Sequence, residues 1–305
     1  MRRRPEHFTR QLILFVLLRS TATSSTVAKQ PAFTIRLPAK HAEETVLGRV
    51  RLYLSTDCDE KSLPPRAQCS DDQSTSQVFG IDTPDTGLKP GEHVIVDDTT
   101  RGYPRHGIRK LPAGAYCVQA ELVRYKRYKR GDGATVTLPA SCVSNAGSDG
   151  AYASPAGTLF SDVLSYIVVE PGGGVGPVAL SLDYEVPAAP SPGCSGKGGD
   201  TQYIKTVRAH SALLSSFWGQ PMELEACVLL PWGFEAHPNA KYPLVVAHGH
   251  YSPIFQPGGR FDSHPPSRNQ SGYAYVDQEY AYWLYRNWTS PTGPFHKARA
   301  LVVTI

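Results

Sequence analysis

Apolar and polar residues alternate in short runs through the first part of the chain. Gln30–Leu37 sets Phe33, Ile35 and Leu37 on one face, and Gly48–Ser55 sets Val50, Leu52 and Leu54 opposite Arg49, Arg51 and Tyr53. A period of two is the pattern of a strand with one face in a core. Gln77–Ile81, His93–Val96, Ala115–Tyr125, Leu164–Glu170 and Val178–Val186 read as further strands, with turns at Pro90-Gly91 and Leu111–Gly114. Lys126–Arg130 is basic, ends in Gly131-Asp-Gly133 and leads into Ala134–Leu138, which predicts a hairpin with a solvated end rather than a nucleic-acid surface. Pro171–Gly176 is Gly-rich, but it lacks the Lys-Ser/Thr ending of a phosphate loop and reads as a connection. Roughly eight short strands between Gly/Pro turns predict an immunoglobulin-like β-sandwich over residues 30–187, followed by a Gly/Pro/Ser linker at 188–200.

From residue 201 the pattern changes. Tyr203–Ala209 and Leu224–Leu230 are strand-like, and Ser211–Trp218 is a short amphipathic turn of helix. Tyr273–Trp288 repeats its aromatics at three and four residues, with Asp277 and Glu279 near the start and Arg286 near the end, as a helix dipole favours. Leu244–Ala247 and Ala298–Ile305 are continuous apolar runs, expected as central strands buried on both faces of a parallel sheet.

Three stretches here carry a likeness: Leu214-Ser-Ser-Phe-Trp-Gly-Gln-Pro221, Leu229-Leu-Pro-Trp-Gly-Phe-Glu-Ala-His-Pro238 and Tyr242-Pro-Leu-Val-Val-Ala-His-Gly-His250. Together they resemble secreted esterases of the α/β-hydrolase superfamily, similar to enterochelin-esterase and esterase-D, with a β-rich domain in front. Leu111–Ala120 and Arg130-Gly-Asp-Gly133 resemble that front domain. The likeness implies an oxyanion loop at His248, Gly249, His250 and Tyr251, with Gly249 allowing close approach and a neighbouring backbone N–H lent to the oxyanion.

Such a hydrolase needs a serine in Gly-x-Ser-x-Gly, followed in the chain by an acid and a histidine. No Gly-x-Ser-x-Gly occurs in the 305 residues, and Ser252 precedes a proline and lacks the second glycine. No catalytic residue is therefore assigned. The reading is an incomplete α/β-hydrolase domain over 201–305, the N-terminal portion of a secreted serine ester hydrolase that is inactive as it stands. Its substrate would be a small-molecule or polymer-linked ester. The alternative is a non-enzymatic secreted β-domain protein that binds carbohydrate or protein.

Other candidate chemistry is sparse. His237, His248, His250 and His264, with Glu235 or Asp262, invite a metal reading, yet nothing in their spacing demands one; no metal and no cofactor is expected. Trp232, Phe234 and Phe255 could line a pocket edge or pack in a core.

Composition supplies the address. A 41% hydrophobic fraction is a globular value. Arg2-Arg-Arg4, the apolar Leu12–Leu18 and the small polar Thr21–Thr26 follow the plan of a signal peptide over residues 1–25, and no other run is long enough to span a membrane. Five of the 31 basic residues and one of the 27 acidic ones lie in that leader, so the rest carries 26 of each and is neutral. Nothing in that balance points to nucleic acid. Six cysteines suit an oxidising compartment, with Cys58–Cys69 and Cys117–Cys142 as candidate disulfides. Asn269 and Asn287 stand in glycosylation sequons.

Overall fold

The computed structural model describes residues 33–41, 45–69, 75–140, 154–172, 174–188, 194, 199–246, 261–267, 272–295, 297 and 299–304. Its first part is made of strands β1 (Phe33–Arg36), β2 (Gly48–Ser55), β3 (Gln77–Asp82), β4 (His93–Val96), β5 (Arg101–Tyr103), β6 (Gly114–Lys129), β7 (Thr135–Pro139), β8 (Leu159–Phe160), β9 (Leu164–Val169), β10 (Val178–Ser181) and β11 (Tyr184–Glu185). They form a three-stranded sheet, β10-β1-β4, and a larger one, β11-β8-β6-β2-β3-β5, with β7 and β9 also pairing β6. Both sheets supply one core. Phe33 and Ile35 of β1, Val96 of β4 and Leu180 of β10 meet Leu52, Phe79, Val118 and Leu122 from the larger sheet.

The alternation of β2 explains its place. Val50, Leu52 and Leu54 are fully buried in that core. The opposite face is covered too. Tyr53 and Glu121 are buried there, and the carboxylate accepts bonds from the Tyr53 hydroxyl at 2.5 Å and the Ser154 hydroxyl at 2.5 Å, with Arg51 Nη1 at 3.4 Å. A buried carboxylate persists only when its lone pairs are used in this way.

Strand β6 runs further than its apolar alternation, through the basic Lys126–Lys129, and turns back into β7 with Lys129 opposite Thr135. The hairpin is as expected, with Gly131, Asp132 and Gly133 exposed at its tip, but one side of that end also meets Phe217 and Trp218. Gly131 N–H donates to the Phe217 carbonyl at 2.8 Å, the Arg130 guanidinium lies 4.4 Å from the Phe217 ring, and the Tyr128 and Trp218 rings meet edge-on at 6.2 Å. A Cβ on Gly131 would stand 2.0 Å from the Ser216 carbonyl oxygen, so only glycine fits. Strands β5 and β8 are too short to display a period, and Val178–Val186 divides into β10 and β11 around Leu182 and Asp183.

The second part comprises β12 (Ile204–His210), α1 (Ala212–Trp218), β13 (Glu223–Leu229), β14 (Leu244–Val246), α2 (Gly272–Thr289) and β15 (Leu301–Thr304). Helix α1 starts where the Ser211 hydroxyl accepts the Leu214 N–H at 3.3 Å and ends at Gly219, whose φ of 65° is left-handed. The sheet order is β12-β13-β15-β14. β13 is antiparallel to both neighbours, whereas β14 and β15 are parallel, joined through α2. Ile204, Cys227, Leu229 and Val302 pack with Phe261 and Trp288 beneath the helix.

One correction belongs here. Leu244, Val245 and Val246 were expected buried on both faces, but they are 59%, 45% and 53% exposed, because β14 is the edge of this sheet and α2 packs over the strands beside it. Within the segment expected as a linker, Cys194 is bonded to Cys227 of β13. Among the described residues no helix is long and apolar enough to cross a membrane.

Candidate active site

In an open sheet with parallel strands, ligands bind in the crevice beyond the carboxyl ends, where the strand order reverses. Here the chain passes from β13 to β14, skips one place, and returns through α2 to insert β15 between them. By that rule the place to look is at the carboxyl ends of β14 and β15, at Val246 and Thr304. The proposed oxyanion residues His248, Gly249, His250 and Tyr251 follow Val246 directly in the chain, and they lie outside the described residues, as do Ser252 and Phe255.

The described residues do contain a serine, a histidine and an acid in one place. Ser263 Oγ lies 2.9 Å from His264 Nδ1, and Asp262 Oδ1 lies 3.6 Å from the same nitrogen. Sequence reasoning placed Asp262 and His264 in a metal set and passed over Ser263. The grouping is not a catalytic relay. A relay has the base take the serine proton on one ring nitrogen while the acid holds the other, whereas here serine and acid converge on Nδ1. Asp262 is buried and occupied elsewhere: Oδ1 accepts the His264 backbone N–H at 2.8 Å and Oδ2 accepts Gln278 Nε2 at 2.9 Å. It anchors the chain ahead of α2.

Glu235 and His237 are exposed in the turn after β13. Among the described residues no three His, Cys, Asp or Glu side chains gather as metal ligands. Trp232 and Phe234 do line a hollow of about 230 Å³, together with Gln202, Tyr203, Leu230 and Glu235. Its position is decisive. Leu229 pairs with Val302 and Leu244 with Leu301, so the hollow just past β13 stands at the amino ends of β14 and β15, opposite the crevice. The Trp232 N–H also donates to the Trp288 carbonyl at 3.3 Å, which ties the hollow to the end of α2. A polar hollow of about 450 Å³ in the first part is lined by Asp98, Arg101, His106 and Lys110. Its carboxylate already binds Arg109, accepting the backbone N–H at 3.1 Å with Nε at 3.7 Å.

The remaining sequence candidates change on inspection. Cys58, Cys69 and Cys117 are free thiols in this structure, so the expected Cys58–Cys69 bridge is not formed in it; Cys142 lies outside the described residues. Burial pushes the Cys69 thiol up to about 11, opposed by a hydrogen bond with Thr75. The register of β2 on β6 sets Ser55 opposite Cys117, which brings Cys58 beside Cys117 rather than beside Cys69. Asn287 is buried on α2 and donates Nδ2 to the Trp283 carbonyl at 2.9 Å, so the folded chain does not present it as a glycan acceptor. Asn269 lies outside the described residues.

Compared with protein-family models, with curated proteins and with solved structures, the chain matches none.

Proposed function

We propose that the chain is the N-terminal portion of a secreted serine ester hydrolase, in which an immunoglobulin-like β-sandwich precedes the first strands of an α/β-hydrolase domain. One observation carries this reading. The third strand of the second sheet, β14, is followed by His248-Gly249-His250 and then helix α2, and β15 returns parallel beside it. An α/β-hydrolase draws one oxyanion N–H from the loop between its third strand and the next helix. Residues 247–260 occupy that place in the chain order. The Cys194–Cys227 bond suits an oxidising, secretory compartment.

The chain's own contribution would be the oxyanion loop and part of the wall of the crevice. The attacking serine, its acid and its base would come from sequence outside these 305 residues, because Gly-x-Ser-x-Gly is missing from them. Sequencing the transcript downstream of the Ile305 codon tests this. A Gly-x-Ser-x-Gly a few tens of codons on, whose serine takes up a fluorophosphonate probe when the longer product is expressed, is the expected result. A stop codon directly after Ile305 with no such motif in later exons would overturn it, as would stoichiometric fluorophosphonate labelling of any serine in the 305-residue chain.

A second reading, a secreted binding protein for carbohydrate, is favoured by the hollow at Tyr203, Trp232 and Phe234. Trp232 is 39% exposed there, and the hollow sits away from the crevice an esterase would use. Aromatic faces beside Gln202 and Glu235 are suited to a sugar ring.

A further inference from the structure

We propose that Cys58 and Cys117 are a disulfide pair in the mature protein, closed by exchange with a low-molecular-weight disulfide of the glutathione type. The geometry is set by β2. Its last residue, Ser55, pairs with Cys117 of β6, and the chain turns at once so that Cys58 comes back over the same place. Both thiols are directed at one acceptor: Cys58 Sγ is 3.6 Å and Cys117 Sγ 3.3 Å from the Ser55 carbonyl oxygen, and Cys117 Sγ is also 3.2 Å from the Asp57 carbonyl. Cys69 has a different partner in Thr75.

Access decides the order of events. Cys58 is half-buried and Cys117 is 1% exposed, so an external disulfide meets Cys58 first. The Cys58 thiolate attacks one sulfur of the small disulfide, forms a mixed disulfide and expels the first thiolate. Cys117 gives up its proton and attacks Cys58 Sγ, and the second small thiolate leaves. The protons of the two cysteines end on the two small thiols, and two electrons pass from the pair to the oxidant. Burial, the first cause, and the neighbouring Cys58 push the Cys117 thiol up to about 12, so the second step is the slow one. The product fastens the loop after β2 to the first part of β6, opposite the last residue of β2.

The test uses the folded 305-residue chain, held in oxidised or reduced glutathione, quenched in acid, alkylated and digested without reductant. Mass spectrometry should find a Cys58–Cys117 cross-linked peptide as the main product in the oxidised arm only, with Cys69 alkylated. Cys69→Ser should leave that peptide unchanged, and Cys58→Ser should abolish it. A dominant Cys58–Cys69 or Cys117–Cys142 linkage, or Cys58 and Cys117 both alkylated after the oxidised arm, would overturn the proposal.

Discussion

Two rows of side chains, one in each part of the molecule, are apolar throughout and have different fates. In the first part Leu52 of β2 lies between Phe79 of β3 and Ala120 of β6, and all three are fully buried. In the second, Ile204, Leu229, Val302 and Val245 form one row across β12, β13, β15 and β14. The first three are 1%, 0% and 2% exposed, and Val245 is 45% exposed. An apolar run tells which residues prefer to leave water. Whether they do depends on having cover on both faces and a neighbour on both edges. Leu52 has all of these, and Val245 stands on the edge strand.

The largest effect that this contrast predicts is on the first core. Leu122→Ala should cost about 2–5 kcal/mol, through lost burial and the cavity left behind, read as a lower urea midpoint. Val245→Ala should stay within about 0.5 kcal/mol; a cost as large as that of Leu122→Ala would mean that β14 is covered in solution. Next comes the tether of the second part. Cys227→Ser opens the bridge to Cys194, 33 residues away, and should remove about 2–4 kcal/mol. Equal stability of this variant and the parent under non-reducing conditions would deny the bridge.

Gly131→Ala tests the joint between the two parts. Its new Cβ meets the Ser216 backbone, and a cost of about 1–3 kcal/mol is expected. Limited proteolysis should then separate the two parts faster, whereas an unchanged digestion rate would show that the hairpin tip carries no load. Tyr53→Phe is smaller, about 1 kcal/mol at neutral pH, since Glu121 keeps Ser154 and Arg51. It also has a pH signature. Burial, and next the adjacent Glu121, raise the Tyr53 hydroxyl well above its usual range. Folding thus favours the protonated phenol: its contribution is complete below about pH 10, the unfolded value, and is lost as pH climbs toward the folded one. Melting temperatures taken from pH 8 to 11 should fall less steeply for Tyr53→Phe than for the parent. The smallest effect concerns Leu244→Ser. It should leave the midpoint within about 0.5 kcal/mol and reduce concentration-dependent light scattering, since an exposed apolar edge strand recruits other chains.

Most strands were legible because their periods were long enough to read. Gly48–Ser55 and His93–Val96 appear with their expected bounds, and the helix at Tyr273–Trp288 differs by one residue at each end. Legibility failed where the controlling partner is distant in sequence. The burial of Glu121 depends on Ser154 and Tyr53, the place of Arg130 depends on Phe217, and the neighbour of Cys58 depends on a strand register 62 residues away. Of the candidate site, the order strand, His-Gly-His and helix was readable. The opposite placement of the Trp232 hollow was not, because it follows from β13 running antiparallel to β15.

Strand β6 has 16 residues, a rod of roughly 50 Å at strand rise. One end is buried between β2 and β8 or β9, and the other carries the hairpin tip onto α1. The reach from sandwich core to helix is therefore counted in residues of one strand. Two residues added to each arm of the β6–β7 hairpin would advance the tip by about 7 Å and keep its facing. One residue in each would rotate Arg130 to the far side, away from Phe217. Length variation in this hairpin is thus quantised: a functional relative of this protein can lengthen or shorten it in steps of two, and a step of one requires α1 to find a new seat.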